Sequence, residues 1–362
     1  MHLIPSNKTG ENPLWSSSEP CYDDIFTYWD LFRCSTSLMQ ILQPVSYEEQ
    51  MRSIIDIWRH EGYLPDARSS NFNGRSQGGS NGDNVLADAY IKGVRGEVNW
   101  DDGYSAMVKD AEVTPPNNND PSAPDSSTKE GRGALPDWLE YGYITPNFTR
   151  SVSRAVEYSA NDYSLHVVAN GLGHSADADK YLARSRNWRN HYDSSSTALN
   201  SSGFVVPRFA NSSFKAGQDP LSCGGCYWGD DYYEATTWEY TFNPHHDIQE
   251  LITLSEGAEK WIEKLDMLFQ PNMNPNGNPA FNKTIFDPGN EPSFASPYLF
   301  NFGGRQDLAV LRSRDVARWF YNTSPSGLPG NSDAGAMQTW LLWNMIGLYP
   351  LTGQTTFLIA IP

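Results

Sequence analysis

The chain has 362 residues, enough for one large domain or two ordinary ones, and carries 26 Lys and Arg against 43 Asp and Glu, a net charge of −17. That balance excludes a surface built to neutralise the phosphates of nucleic acid or an anionic membrane, since both need clustered cations. No apolar run reaches the length needed to cross a bilayer, so no membrane span is expected.

Helical periodicity dominates in chain order. A first helical stretch is expected over Asp24–Leu42. Ser46-Tyr-Glu-Glu49 reads as a capping box, followed by Met51, Ile54, Ile55 and Trp58 on one helix face and a C-terminal stop at Gly62. Further helices are predicted over Asn84–Val94, Gly103–Ala111 and Pro136–Tyr143, then along the faces Val152–Tyr163 and Ala178–Tyr192. The last four fall at Asp247–Leu254, Ala258–Phe269, Arg305–Tyr321 and Ala336–Leu348. Thr356–Pro362 reads as a strand, and little other strand signal is present. Asn71–Gly82 and Thr114–Gly133 are long polar loops. About eleven helices joined by long loops imply an all-α fold, an (α/α)6 toroid of helical hairpins; no fixed repeat period favours a solenoid.

Four cysteines, Cys21, Cys34, Cys223 and Cys226, fit an oxidising compartment. Cys223-Gly-Gly-Cys226 is read as a small structural disulfide, with Cys21 and Cys34 paired to each other or left as thiols. Sequons at Asn7, Asn147, Asn200, Asn211, Asn282 and Asn322 agree with a secretory route. The first residues show neither the charged nor the apolar segment of a signal peptide. Together with the strand at the C-terminus, this leads to the expectation that the sequence is a fragment of a longer secreted protein.

Three acidic loops carry the chemistry. Glu234 follows Tyr232 and Tyr233 and precedes Trp238 and Tyr240. Burial beside rings would raise its pKa and suit a general acid. A surface glutamate near a helix start is the plain alternative, and Glu239 competes for the role. Asp333 sits in Gly327-Leu-Pro-Gly-Asn-Ser-Asp333-Ala-Gly-Ala-Met337, whose Gly330 and Gly335 allow close approach of a ligand; its alternative is a helix N-cap. Asn290 and Glu291, before Pro292, offer oxygen ligands to a hard cation such as calcium, against an incidental acid in a turn. Asp30 and Asp83 are candidates to bond sugar hydroxyls. For His245-His246-Asp247 a helix cap is preferred over a metal site.

In order, Tyr28-Trp-Asp-Leu-Phe-Arg33, Gly62-Tyr-Leu-Pro-Asp66, Gly82-Asp-Asn-Val-Leu-Ala-Asp-Ala-Tyr90, Glu157-Tyr-Ser-Ala-Asn-Asp162, Glu234-Ala-Thr-Thr-Trp-Glu-Tyr240, Gly289-Asn-Glu-Pro-Ser293 and the Asp333 segment resemble glycoside hydrolase family 92, the calcium-dependent exo-α-mannosidases, with a fungal cast. The resemblance runs from about residue 15 to the end. It implies a truncated (α/α)6 catalytic domain over 1–362 without the family's N-terminal β-sandwich domain. It also implies inverting hydrolysis of terminal α-mannosides in mannose-containing oligosaccharides or N-glycans. Glu234 would be the acid and Asp333 the base. Trp29, Asp30, Asp83, Trp238 and Asn331 would bind substrate, and Asn290 and Glu291 would lie at the Ca2+ site. Two departures stand out. Asn331 replaces an acid that many relatives carry two residues before the base, and Phe294-Ala295 replaces a histidine after the Asn-Glu-Pro-Ser motif. The rival readings are an inactive fragment with weak sugar binding, and a toroidal glycosidase acting on glucans.

Overall fold

The computed structural model describes residues 16–70, 72–116 and 129–361. The Asn7 sequon, Asn71 and the middle of the Thr114–Gly133 loop lie outside them. The chain forms two compact units. One comprises residues 1–142, 157–186 and 352–355, the other residues 143–156, 187–351 and 356–362.

In the first unit, β1 (Phe26–Thr27) leads into α1 (Tyr28–Leu31), α2 (Ser35–Leu42) and α3 (Pro44–Glu61). The strands β2 (Ala67–Ser69) and β3 (Phe72–Asn73) follow, then α4 (Asn81–Ile91), α5 (Trp100–Glu112) and α6 (Leu135–Tyr141). The part of α7 (Ser151–Leu172) from Glu157 onward and α8 (Ser175–Arg184) complete it. β1, β2 and β3 form one small antiparallel sheet. The predicted stripe on α3 is the core stripe: Met51, Ile54 and Ile55 are buried against Val85 and Leu86 of α4 and Met107 of α5, and Trp58 packs at the margin. Gly62 ends α3 at φ +94°, its amide bonded to Trp58 O at 2.8 Å. That left-handed cap is what glycine supplies without a Cβ penalty.

Two helix starts differ from the sequence reading. The helix expected from Asp24 is broken between Leu31 and Ser35. The capping box at Ser46 is not used, because α3 begins three residues earlier, with Gln43 at the N-cap, no side-chain cap bond and Pro44 in its first turn. Proline's fixed φ suits a first helical position, where a missing N–H costs nothing. Glu49 instead accepts a bond from Tyr22 Oη at 2.7 Å.

The second unit holds the first residues of α7, the hairpin β4 (Tyr192–Ala198) and β5 (Ser201–Val205), α9 (Thr237–Thr241), α10 (Ile248–Leu254), α11 (Ala258–Met267), α12 (Gln306–Phe320), α13 (Ala336–Ile346) and the pair β6 (Leu348–Pro350) and β7 (Phe357–Ile359). Short 3-10 turns fill the loops, including Glu291–Ser293 and Ser296–Gly303. The β6–β7 pair bears out the C-terminal strand. The β4–β5 hairpin corrects the helix drawn through Tyr192: Tyr192 pairs with Val205, and Leu199 and Asn200 turn at φ +48° and +64°. Two consecutive positive φ values give the tight turn whose twist matches the flanking strands. Asp247 stands at the N-cap of α10 as expected, but its carboxylate is bonded to Trp188 and Arg189 rather than to the helix.

Helices dominate the described residues, and the longest strand, β4, has seven residues; the all-α class with little strand is what the structure has. Cys223 and Cys226 are bridged, while Cys21 and Cys34 are buried thiols. The sequons at Asn147, Asn200, Asn211, Asn282 and Asn322 are all exposed. No helix among the described residues is long and apolar enough to cross a membrane.

Candidate active site

In the second unit, Glu234, Asp287, Asn290, Glu291, Asn331 and Asp333 line one cavity of about 320 Å³. Three loops deliver them. The first is held by aromatic packing: Tyr232 and Tyr233 are buried, Tyr232 Oη donates to Val205 O at 2.7 Å, and Tyr240 Oη donates to Tyr233 O at 2.8 Å. The chain then turns at Glu234, at φ +61°, with its amide bonded to Cys226 O at 3.0 Å. A glutamate in the left-handed region is uncommon, and such strain persists only where the surroundings impose it. The Glu234 backbone is therefore held in a turn ahead of α9, and the residue is partly buried.

The second and third loops meet backbone to backbone. A Cβ on Gly330 would stand 2.7 Å from Gly289 O and 2.9 Å from Gly289 Cα. The glycine at 330 thus makes room for another loop, where a ligand's approach was expected. The contact sets Asn290 and Glu291 beside Asn331 and Asp333, and the carboxylates of Glu291 and Asp333 bring oxygens within 4.8 Å of each other. Asp333, Ala334 and Gly335 have φ of +24°, +54° and +88°. The N-cap of α13 is Gly335, without a side-chain cap bond, so the helix-cap alternative for Asp333 falls.

Burial raises the pKa of Asp333, against the opposing pull of its own amide, and raises that of Asp287 against a bond from Gly289 N. Glu239 is buried beneath the loops and pushed up to about 7, first by burial and then by the charge of Asp287. A second cavity of about 260 Å³ shares Glu234, Asn278, Phe281, Asp287 and Asn290 with the first and adds Cys223, Cys226 and Glu239. Asn290 Nδ2 donates to Glu234 O, which leaves the Asn290 amide oxygen as its ligand atom.

Trp238 is fully buried, tilted against Phe204 with its indole bonded to Lys264 O at 3.2 Å. It is a core residue and does not line the cavity. Trp29, Asp30 and Asp83 are buried in the first unit. Trp29 Nε1 donates to Glu157 at 2.7 Å. Asp83 is spent on an internal ion pair with Arg132 at 3.0 Å and a bond from Ser80, which corrects its reading as a sugar contact. Asp287 and Asn278 were not anticipated. The turn Asp287-Pro-Gly, just ahead of Asn290, is the signal that would have pointed to the first.

The family model of the glycosyl hydrolase family 92 catalytic domain matches residues 1–362. The chain belongs to glycoside hydrolase family 92. It is 36% identical, over 99% of its length, to a protein of Arthroderma benhamiae described as an uncharacterized secreted glycosidase, and spans 43% of that relative. Among solved structures it is similar to a family 92 α-mannosidase from Bacteroides thetaiotaomicron in complex with mannoimidazole, with TM-score 0.81 and 24% identity over 95% of this chain and 43% of that one. A family 92 inverting mannosidase from Bacteroides thetaiotaomicron VPI-5482 matches equally well, with TM-score 0.81 and 24% identity over 95% of this chain and 46% of that one. These likenesses show the fold of family 92 catalytic domains. The chain spans less than half the length of the relatives it matches.

Proposed function

We propose that the chain is a partial catalytic domain of a secreted exo-α-mannosidase that hydrolyses terminal α-mannosides of N-glycans or mannans with inversion. The supporting observation is that Glu234 and Asp333, 99 positions apart, line one cavity. In this reading the Glu234 carboxylic acid gives its proton to the glycosidic oxygen as the C–O bond breaks. The Asp333 carboxylate takes a proton from the water that attacks the anomeric carbon on the opposite face. Such a pair works at roughly 6.5–9.5 Å, with room for the water. The relative's description as secreted supports the secretory route. The β-sandwich domain of family relatives would complete the active site in the full-length protein.

The donor set fits Ca2+. Asn290, Asn331, Glu291 and Asp333 offer only hard oxygen ligands, two carboxylates lie within 4.8 Å, and no described lining residue is cationic. Asn290 and Glu291 are the residues that would hold it. Calcium, when bound, would supply a charge that fixes sugar hydroxyls and helps distort the ring.

The test is hydrolysis of α-linked mannobioses by the full-length protein, with the first-formed anomer followed by NMR, with and without a chelator. Release of β-mannose that falls on chelation and returns with Ca2+ is expected. Retention of configuration, or cleavage of α-glucans in preference to mannosides, sinks the reading. The same assay on residues 1–362 alone tests the rival, an inactive sugar-binding fragment, whose expected outcome is much weaker turnover than the full-length protein.

A further inference from the structure

We propose that Glu239 is a positioning residue whose buried carboxylate ties the Glu234 loop to the Asp287–Ser293 loop and so fixes the acid against the Asn290–Glu291 pair. The inference rests on the mannosidase reading above. One oxygen, Oε2, accepts from Thr236 N at 2.8 Å and Thr236 Oγ1 at 2.9 Å, two residues beyond Glu234. The other, Oε1, accepts from Asp287 N at 3.0 Å and from Ser293 Oγ at 2.5 Å. Asn290 ties the loops a second time, through the bond of its amide nitrogen to Glu234 O. Glu234 is thus fastened to the opposite loop on its own carbonyl and, two residues later, through Glu239.

The chemistry calls for a carboxylate. A capping box needs one oxygen facing the N-cap amide, and here Thr236 and Glu239 form one at the start of α9. The second oxygen is spent on residues 48 and 54 positions away, which helix capping does not require. All four partners donate in this arrangement, and a carboxylate accepts at both oxygens. A glutamine must turn an N–H group toward one of the two loops and set donor against donor. Glu239 is 2% exposed, so a bond lost there is costly. Its carboxylate approaches no reacting atom in this scheme and acts through the loops it holds.

The experiment uses the full-length protein with Glu239→Gln and Ser293→Ala. Each is assayed on an activated aryl α-mannoside and on an α-mannobiose, with kcat and KM measured separately, alongside amide hydrogen exchange over residues 234–241 and 287–294. A displaced acid matters most when the leaving group needs its proton. For Glu239→Gln the expected kcat loss on the mannobiose is on the order of 10²-fold, the cost of roughly 1 Å of misplacement. The loss on the aryl substrate should be about tenfold smaller, with KM changed little on either. Exchange at Asp287 and Thr236 should quicken. Ser293→Ala, which removes one tie and leaves the carboxylate, should show the same pattern more weakly, and it carries the test if Glu239→Gln does not fold. A merely structural role would lower both activities by the same factor, in step with the folded fraction, and that outcome overturns the proposal; so does unchanged exchange at Asp287. If the wild-type protein cleaves neither mannoside, the functional reading fails by itself, and the exchange data alone decide whether Glu239 ties the loops.

Discussion

Around Arg132, in the first unit, Asp83 and Asp162 are fully buried on one guanidinium, at 3.0 and 2.6 Å, and Arg184 adds a second cation to Asp162 at 2.6 Å. The cavity of the second unit gathers Glu234, Asp287, Glu291 and Asp333, and none of the described residues lining it is cationic. In the first case two guanidinium groups outweigh burial at Asp162 and hold its pKa below the usual range, whereas at Asp83, served by Arg132 alone, burial prevails and pushes the pKa up to about 6. In the second, burial raises Asp287 and Asp333. Carboxylates neutralised by arginine are part of the scaffold, and removing their partner is costly. Carboxylates gathered without a cation favour whatever brings one, a proton or a metal ion. Both clusters contain residues that looked functional in the sequence, and the identity of the neighbour separates them.

Four changes would break or sharpen this contrast. Asp333→Asn in the full-length protein should lower kcat by roughly 10²–10⁴-fold on every mannoside, because an amide cannot take the proton of the attacking water. Its urea midpoint should stay near wild type. A variant that retains most of its turnover rejects Asp333 as the base. Glu234→Gln should lose about as much on an α-mannobiose and much less on an activated aryl mannoside, and a comparison of the two kcat values decides it. Equal losses on both substrates would falsify the acid assignment.

Arg132→Met belongs to the other side. It leaves the buried Asp83 without a cation and Asp162 with Arg184 alone, and should cost roughly 3–5 kcal/mol in urea unfolding. A cost below about 1 kcal/mol would show that the cluster is not the scaffold described.

The smallest effect concerns Asp66, an acid of the first unit that the Arg132 cluster does not serve. Its pKa is pushed up to about 7, first by burial and then by the charge of Glu157, against bonds from Asn81. The folded protein therefore holds this proton to higher pH than the unfolded chain. The stability it contributes is full below about pH 4 and is lost as pH rises to 7, by at most about 1.4 kcal/mol per pH unit. Asp66→Asn should flatten the curve of unfolding free energy against pH in that window. Parallel curves for variant and wild type would count against the shift.

Much of the fold was legible because the deciding interactions are local. The 51, 54, 55, 58 stripe, the stop at Gly62 and the C-terminal strand each follow from a few neighbouring residues. The β4–β5 hairpin was hidden because Asp193-Ser-Ser-Ser-Thr197 lacks the apolar alternation of a strand, and pairing with Ser201–Val205 supplies what the local pattern does not. The candidate site was legible as three motifs, and the family resemblance was what joined Glu234, Glu291 and Asp333 in one expected pocket, where they line one cavity. Nothing near Asp83 announces Arg132, 49 positions on, and nothing near Trp238 shows that its indole faces Lys264. Glu239 read as a rival acid because its bonds to Asp287 and Ser293 belong to another loop.

The bridge between Cys223 and Cys226 has a practical consequence for making this protein. Glu234 hangs from the carbonyl of Cys226 by its amide. A preparation from a reducing cytoplasm would contain every residue of the site, yet leave the peptide that anchors Glu234 without the covalent staple. Specific activity would then report the compartment of synthesis as much as the sequence, and thiol titration of each batch becomes part of reading any kinetic comparison between variants.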